Sequence, residues 1–343
     1  MKILFHLGHP AHFHLFKNVI KNLINNSHEI TILIKTKDVL EELLIESKVE
    51  YTNLLPHGRK DNLIGIAIGQ ITQDYRMFNY VRKNRVDLLV GSSVSITHVG
   101  KLLGIPSISL GEDDAKVVPF YSYLSYPFAN VILSPVSCDN NKWDKKTIHY
   151  ESYHELGYLH PNHFKVNKNI VEKYLSANGK FFIIRFSKLG AHHDKGISGI
   201  NNNIAKKIID LLTPHGQVII NSEKELEPHL ESYRMRIDPL DMHHLLAFAD
   251  LYIGDSQTMA AEAAVLGTPS IRISDFVNRL GYLEELENKF NLTFGFKPKD
   301  IEVALSKIES IIKMPKAKSE WQIRREKMLK EKIDFSEYLT TFI

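Results

Sequence analysis

In the stretch Asp250-Leu-Tyr-Ile-Gly-Asp255-Ser-Gln-Thr-Met-Ala-Ala-Glu262-Ala-Ala-Val-Leu-Gly267-Thr-Pro269, small polar side chains stand where a helix begins and one carboxylate stands inside it. Leu251 to Ile253 are a short apolar run that suits a buried parallel strand. Gly254, Asp255 and Ser256 are turn formers, and Asp255 or Ser256 can cap the helix that runs from Thr258 to Leu266. Gly267 ends that helix and Pro269 stops its continuation. Free N–H groups and partial positive charge at such a start suit an anion such as a diphosphate, and Asp255, Ser256, Gln257, Thr258 and Met259 at this turn are the substrate-binding candidates. Glu262 lies about one and a half turns in, among Ala260, Ala261, Ala263 and Ala264. Close packing is implied there, so the carboxylate needs a partner. A diol such as a ribose would supply two hydrogen bonds. The plain alternative is a capped helix with no ligand.

Three more loops follow strand-like runs, and open α/β sheets bind ligands at such strand ends. The first reads His6-Leu-Gly8-His9-Pro10-Ala-His12-Phe-His14, four histidines in nine residues. The spacing is not a zinc pattern and no cysteine pair supports one, so no metal is expected. Gly8 permits close backbone approach and a helix start follows, which makes Gly8, His9, His12 and His14 a substrate-facing loop; a structural role is the alternative. The pattern is not a dinucleotide-binding one, and no cofactor is expected. The second loop, Gly111-Glu112-Asp113-Asp114, is either a solvated turn or the source of a general base, because adjacent carboxylates push one pKa upward. Spacing does not choose among the three; Asp113 and Asp114 are the candidates. In the third, Arg185 and Lys188 are set to neutralise phosphate. There His193 beside Asp194 resembles a positioned imidazole, fit for acid, base or phosphate contact; an exposed polar loop is the alternative.

Strands and helices in alternation must position these loops. Strand-like runs are Lys2–Leu7, Glu29–Ile34, Asp87–Val90, Ser107–Leu110 and Val131–Ser134, then Phe181–Phe186, Gln217–Ile220, Leu251–Ile253 and Ser270–Ile273. Helical spacing covers Phe13–Asn25, Lys37–Glu46, 62–82, a stretch ending at Leu103, Asn201–Leu212, Leu240–Phe248 and a stretch from Tyr282. Such alternation argues parallel, doubly wound sheets. The break falls near His160 to Gly179, where Pro161 and several asparagines dilute the pattern. A charged helix is expected over 318–332. At 343 residues the chain is long enough for two domains. No run nears the roughly 18 apolar residues of a membrane span. The start Met1-Lys-Ile-Leu-Phe-His is not a signal peptide, and one cysteine, Cys138, suits a reducing compartment, so a cytoplasmic chain is expected. With 43 basic and 40 acidic residues, net charge +3, nothing argues for nucleic acid as a partner.

Several motifs recur together: Gly8-His9-Pro10-Ala11-His12 with Leu15-Phe16-Lys17, Leu103-Gly104-Ile105-Pro106-Ser107, Gly157-Tyr158 with Leu159-His160-Pro161, Arg185-Phe186 with His193-Asp194, and Gly254-Asp255-Ser256 through Gly267-Thr268-Pro269. On these the whole chain resembles the domain-of-unknown-function family 354, which is placed with the GT-B glycosyltransferases and near the hydrolysing UDP-GlcNAc 2-epimerases. The resemblance implies an α/β fold of GT-B type, two facing Rossmann-like domains with parallel sheets and a C-terminal crossover helix. The implied domains are 1–163, on the acceptor side, and 164–317, on the nucleotide-sugar side, with 318–343 returning toward the first. It also implies that the carboxylate at Glu262 binds ribose and that the turn Ser256 to Met259 holds the diphosphate. Against the 2-epimerases, Asp255-Ser256, Glu262-Ala263 and Leu266-Gly267 with Pro269 correspond. Gln257 and Thr258 replace two glycines there, and His9-Pro10-Ala11 replaces an arginine-proline-glutamate signature.

The leading expectation is a metal-independent glycosyltransferase that uses a nucleotide diphosphate sugar, a UDP sugar, in surface polysaccharide or glycolipid assembly. The helix dipole, Arg185 and Lys188 would stabilise the departing diphosphate, and His12 or Asp113 would take the acceptor proton. The second expectation is a hydrolysing 2-epimerase or sugar-nucleotide hydrolase, with Asp113 or Asp114 as base and His193 near the leaving group. The third is a non-catalytic GT-B-like scaffold. Expected partners are the nucleotide sugar and a glycan or lipid-linked acceptor, with peripheral contact at the inner face of the membrane. The aromatic, nearly uncharged segment from Val117 to Ala129 reads as core, with an acceptor groove or membrane-facing patch as alternatives.

Overall fold

Apolar runs bounded by turn formers become parallel strands, and the amphipathic stretches between them become helices, in the computed structural model. It describes residues 1–59, 62–175, 179–186, 199–222 and 225–343. These divide into two compact units, Met1–Tyr158 with Ile333–Ile343, and Leu159–Lys332.

The first unit runs β1 (Lys2–Leu7), α1 (Pro10–Asn25), β2 (Glu29–Ile34), α2 (Leu40–Glu46), β3 (Thr52–Asn53), α3 (Leu63–Asn84), β4 (Leu88–Gly91), α4 (Val94–Leu103), β5 (Ser107–Leu110), α5 (Pro119–Ser125), β6 (Val131–Pro135) and β7 (Thr147–Tyr150). Among the described residues these strands form one parallel sheet in the order β3-β2-β1-β4-β5-β6-β7. After a turn of helix α6 (Leu156–Leu159), the second unit runs α7 (Lys168–Val171), β8 (Phe181–Phe186), α8 (Asn202–Leu212), β9 (Gln217–Ser222), α9 (Pro228–Glu231), α10 (Met242–Phe248), β10 (Leu251–Gly254), α11 (Gln257–Leu266), β11 (Ser270–Ile273), α12 (Gly281–Asn288), β12 (Thr293–Phe296), α13 (Ile301–Lys313) and α14 (Ala317–Glu331). Its parallel sheet has the order β12-β11-β10-β8-β9. The last helix, α15 (Phe335–Phe342), packs on α1 in the first unit.

Local chemistry explains the boundaries. β1, β4, β5 and β10 are buried along nearly their whole length, as strands covered on both faces must be. Pro10 opens α1, where its missing N–H costs nothing. Ser93 and Asn201 cap α4 and α8 through their side-chain oxygens. Gly267 closes α11 in the left-handed region, φ 75°, which glycine adopts without strain.

The structure departs from the sequence reading in places. The segment from Val117 to Ala129 is core only on one side. Tyr126 and Ala129 are buried, whereas Phe120 and Tyr123 on α5 face outward. Within the stretch 318–343, α14 belongs to the second unit and α15 to the first. Strands β3, β7 and β12 and helix α13 were not legible in the pattern.

Candidate functional site

In the second unit the chain reverses its direction of travel across the sheet between β8 and β10. Open α/β sheets bind ligands outside the carboxyl ends of strands at such a switch. Arg185, near the end of β8, lies in register with Gly254 on β10 and Asn221 on β9. Its guanidinium donates to the Asn221 side-chain oxygen. A Cβ at position 254 would stand 2.3 Å from the Tyr252 hydroxyl, so glycine is what lets that buried tyrosine reach the Ser256 carbonyl at 3.4 Å.

Ser256 caps α11, its Oγ accepting from the Met259 N–H at 3.3 Å. The N–H groups of Gln257 and Thr258 have no acceptor within the helix, as helix geometry dictates. No acidic side chain occupies the first turn, and Ser256 to Met259 are half-exposed. The positive end of α11 is thus presented beside Arg185, as an anion site requires. Asp255 is 2% exposed, and its carboxylate lies against Gly199, where an added Cβ would come within 2.6 Å of Oδ2. It supports the turn from beneath. Gln257 braces the same turn, its amide donating to the Asp255 carbonyl at 3.2 Å.

Glu262 is 6% exposed among fully buried alanines. The partner its surroundings demand is His243 on α10, whose Nε2 lies 3.0 Å from Glu262 Oε1. Both side chains are buried, and Phe164 packs edge-on against the imidazole. Sequence reasoning missed His243. Its signal was a histidine inside the apolar helix Leu240–Phe248, one helix before Glu262. Lys188, His193 and Asp194 lie outside the described residues.

In the first unit the sheet reverses between β1 and β4. The loop after β1 lies at this reversal. His9 is the cap of α1, its Nδ1 accepting from the Ala11 N–H at 3.2 Å. The Gly8 N–H donates to His12 Nδ1 at 3.1 Å. A neutral imidazole that accepts at Nδ1 carries its proton on Nε2. Burial holds the His12 pKa well below the usual value, with help from His9, His154, His6 and Lys35. The lowered pKa favours the neutral imidazole, with Nδ1 engaged by Gly8 and Nε2 left for a substrate contact. His14 is buried and packs on Phe13 and Tyr158 inside the first unit, so it takes no part in the loop surface. Gly8 leaves room for Lys35, whose Cε would lie 3.1 Å from a Cβ there. Burial, then Arg59, lowers the Lys35 ammonium to about 8.

The acidic loop after β5 is resolved by its contacts. Asp114 Oδ1 accepts from the Asp139 N–H at 2.9 Å and so fixes the loop. Asp113 is half-buried. Glu112 is the residue drawn into a polar cluster: its Oε1 accepts from the His154 backbone N–H at 2.6 Å, and its Oε2 lies 3.3 Å from His154 Nδ1. Burial, then the neighbouring Glu155, raises the Glu112 pKa well above the carboxylate range. Burial also lowers His154 to about 3. Burial thus disfavours the charged form of both groups, and the 3.3 Å contact is a close polar approach rather than an ion pair of full charges. Glu155 is 1% exposed and shares a hydrogen bond with Glu112. Two carboxyl groups in contact hold one proton between them far more readily than two charges. His154 and Glu155 carried no signal in the sequence beyond adjacency, 42 residues from Glu112. Among the described residues no three His, Cys, Asp or Glu side chains converge as metal ligands do.

A sequence model of the family described as "Protein of unknown function (DUF354)" matches residues 1–281. No curated protein matches the chain. Among solved structures, UDP-GlcNAc 2-epimerase from Neisseria meningitidis, bound to UDP-GlcNAc, is 16% identical with a TM-score of 0.62, over 96% of this chain and 100% of that one. MnaA of S. aureus, solved with UDP, is 14% identical with a TM-score of 0.69, over 98% and 94%. The spinosyn rhamnosyltransferase SpnG, solved with spinosyn aglycone, is 12% identical with a TM-score of 0.64, over 100% of both. At these identities the likeness shows the fold: two parallel-sheet units of GT-B type.

Proposed function

From the premise that the chain belongs to the DUF354 family, we propose that it is a glycosyltransferase of GT-B type that uses a nucleotide diphosphate sugar, linked to UDP. The observation that carries this reading is the half-exposed N-terminus of α11 at the β8–β10 switch, with Arg185 alongside and no acid in its first turn. UDP is bound in two of the related folds, which supports the choice of nucleotide. In the proposed reaction the acceptor hydroxyl forms a bond to the sugar C1 while the bond from C1 to the diphosphate oxygen breaks. UDP leaves with its negative charge held by the α11 N–H groups and Arg185. The hydroxyl proton goes to a base, for which we carry Asp113 and His12 of the first unit as the candidates. The ribose hydroxyls reach Glu262, whose other hydrogen bond to His243 fixes the carboxylate. The cellular role we assign is assembly of surface polysaccharide or glycolipid, in the cytoplasm at the inner membrane face. Among the described residues no helix is long and apolar enough to cross a membrane.

One observation favours a second reading, a hydrolysing 2-epimerase or sugar-nucleotide hydrolase. The proton-sharing pair Glu112 and Glu155, beside His154, is built for proton transfer to and from carbon or water. Incubation of the pure protein with UDP-GlcNAc alone separates the readings. Intact substrate without an acceptor agrees with a transferase. Release of UDP and free sugar overturns it in favour of the second reading. Absence of any UDP binding by calorimetry would leave only a scaffold.

A further inference from the structure

Helix α3 is buried along one face and carries exposed apolar side chains on the opposite one. Gly69, Gln73, Met77 and Val81 form its buried seam against the sheet and α4. At about 100° per residue, Ile64, Ile68, Ile71 and Tyr75 fall on the face diametrically opposite. They are 72%, 59%, 68% and 67% exposed, and Leu63 beside them is 63% exposed. A soluble surface rarely leaves such side chains in a row. The spacing of four, three and four residues is the narrow seam by which one helix packs on another. We propose that this face of α3 joins two copies of the chain about a two-fold axis.

In that arrangement the two α3 helices run antiparallel. Ile68 of each copy meets Ile71 of the other, and Ile64 meets Tyr75, so the patch is complementary to itself as a two-fold interface requires. The four side chains of the seam leave about 500 Å² of apolar surface per copy, so pairing would bury about 1,000 Å², the least that a specific interface needs. The borders of the seam also suit protein rather than lipid. Ala67 and Thr72 are uncharged, and Asp74 is turned to His98 at 2.8 Å. A helix that lies on an anionic bilayer lines its apolar stripe with Lys and Arg. Here Arg82 and Lys83 come only at the far end, and Arg76 is tied to the Leu54 carbonyl at 2.6 Å.

Light scattering of the intact chain during gel filtration tests this, at micromolar concentration. The expected mass is twice the 39.4 kDa of one chain. The variant Ile68→Glu/Ile71→Glu places carboxylates opposite one another at the axis and should elute with the mass of one chain, its circular dichroism unchanged because both positions are exposed. A wild-type mass of one chain overturns the proposal, as does a variant that keeps the doubled mass. A single-chain wild type that floats with phosphatidylglycerol vesicles, and a variant that does not, would assign the face to lipid instead.

Discussion

Glu262 and His243 share one buried hydrogen bond, and that bond separates folding from binding at this site. Glu262→Gln keeps an acceptor oxygen for the imidazole but removes the charge. UDP affinity should fall about tenfold, roughly 1.4 kcal/mol, in a calorimetric titration. At the other cluster, Glu155 helps hold the Glu112 pKa up. In Glu155→Gln that neighbouring carboxyl is gone, so the Glu112 pKa falls and the limb of the pH–rate profile it controls moves to lower pH. Under the second reading, where this pair moves the proton, Glu112→Gln should cut turnover about 100-fold or more. His6 and His154 stand at about 3 in the folded chain and return to near 6.5 on unfolding. Between these values the unfolded chain binds more protons. Stability is thus complete above pH 6.5 and is lost as pH falls toward 3, by about 1.4 kcal/mol per pH unit for each imidazole. Urea unfolding at two or three pH values in that window should show a slope shallower by one such share in His6→Leu, because that side chain no longer titrates.

Helix α11 is held at both ends, and the far end belongs to α14. Arg325 Nε donates to the Val265 carbonyl at 2.7 Å, and the Gln322 amide to the Leu266 and Gly267 carbonyls at 3.0 and 3.2 Å. Cationic and donor groups there complement the negative end of the helix dipole. Arg325→Ala should destabilise the chain by about 1–2 kcal/mol in denaturant unfolding. This link was invisible in the sequence, where α14 is only a charged stretch and its contacts with α11 are some sixty residues away. The bounds of α11 itself were legible, because Ser256 and Gly267 are residues that start and end helices by local chemistry alone. β7 and β12 were not, being short strands whose pairing, not their composition, makes them strands. Glu112 shows the same limit. Its loop was legible as acidic, but three adjacent carboxyl groups are alike until His154 arrives from a distant loop and selects one.

At the scale of the whole molecule, the alternation of strands and helices and the dilute stretch after His160 announced two parallel-sheet units, and the structure divides at Tyr158 and Leu159. What alternation cannot give is strand order. The order places Arg185 and Gly254 side by side and so brings together two loops, seventy residues apart, as one candidate site. The claim that this site holds the diphosphate of a nucleotide has a direct test in Thr258→Asp. A carboxylate in the first turn of α11 complements the helix dipole, so the melting temperature should hold or rise. The same carboxylate occupies and repels the anion site, so UDP binding, measured by calorimetry on both proteins, should be present in the wild type and weaker by tenfold or more in the variant. Equal affinity for UDP in the two proteins would contradict the account.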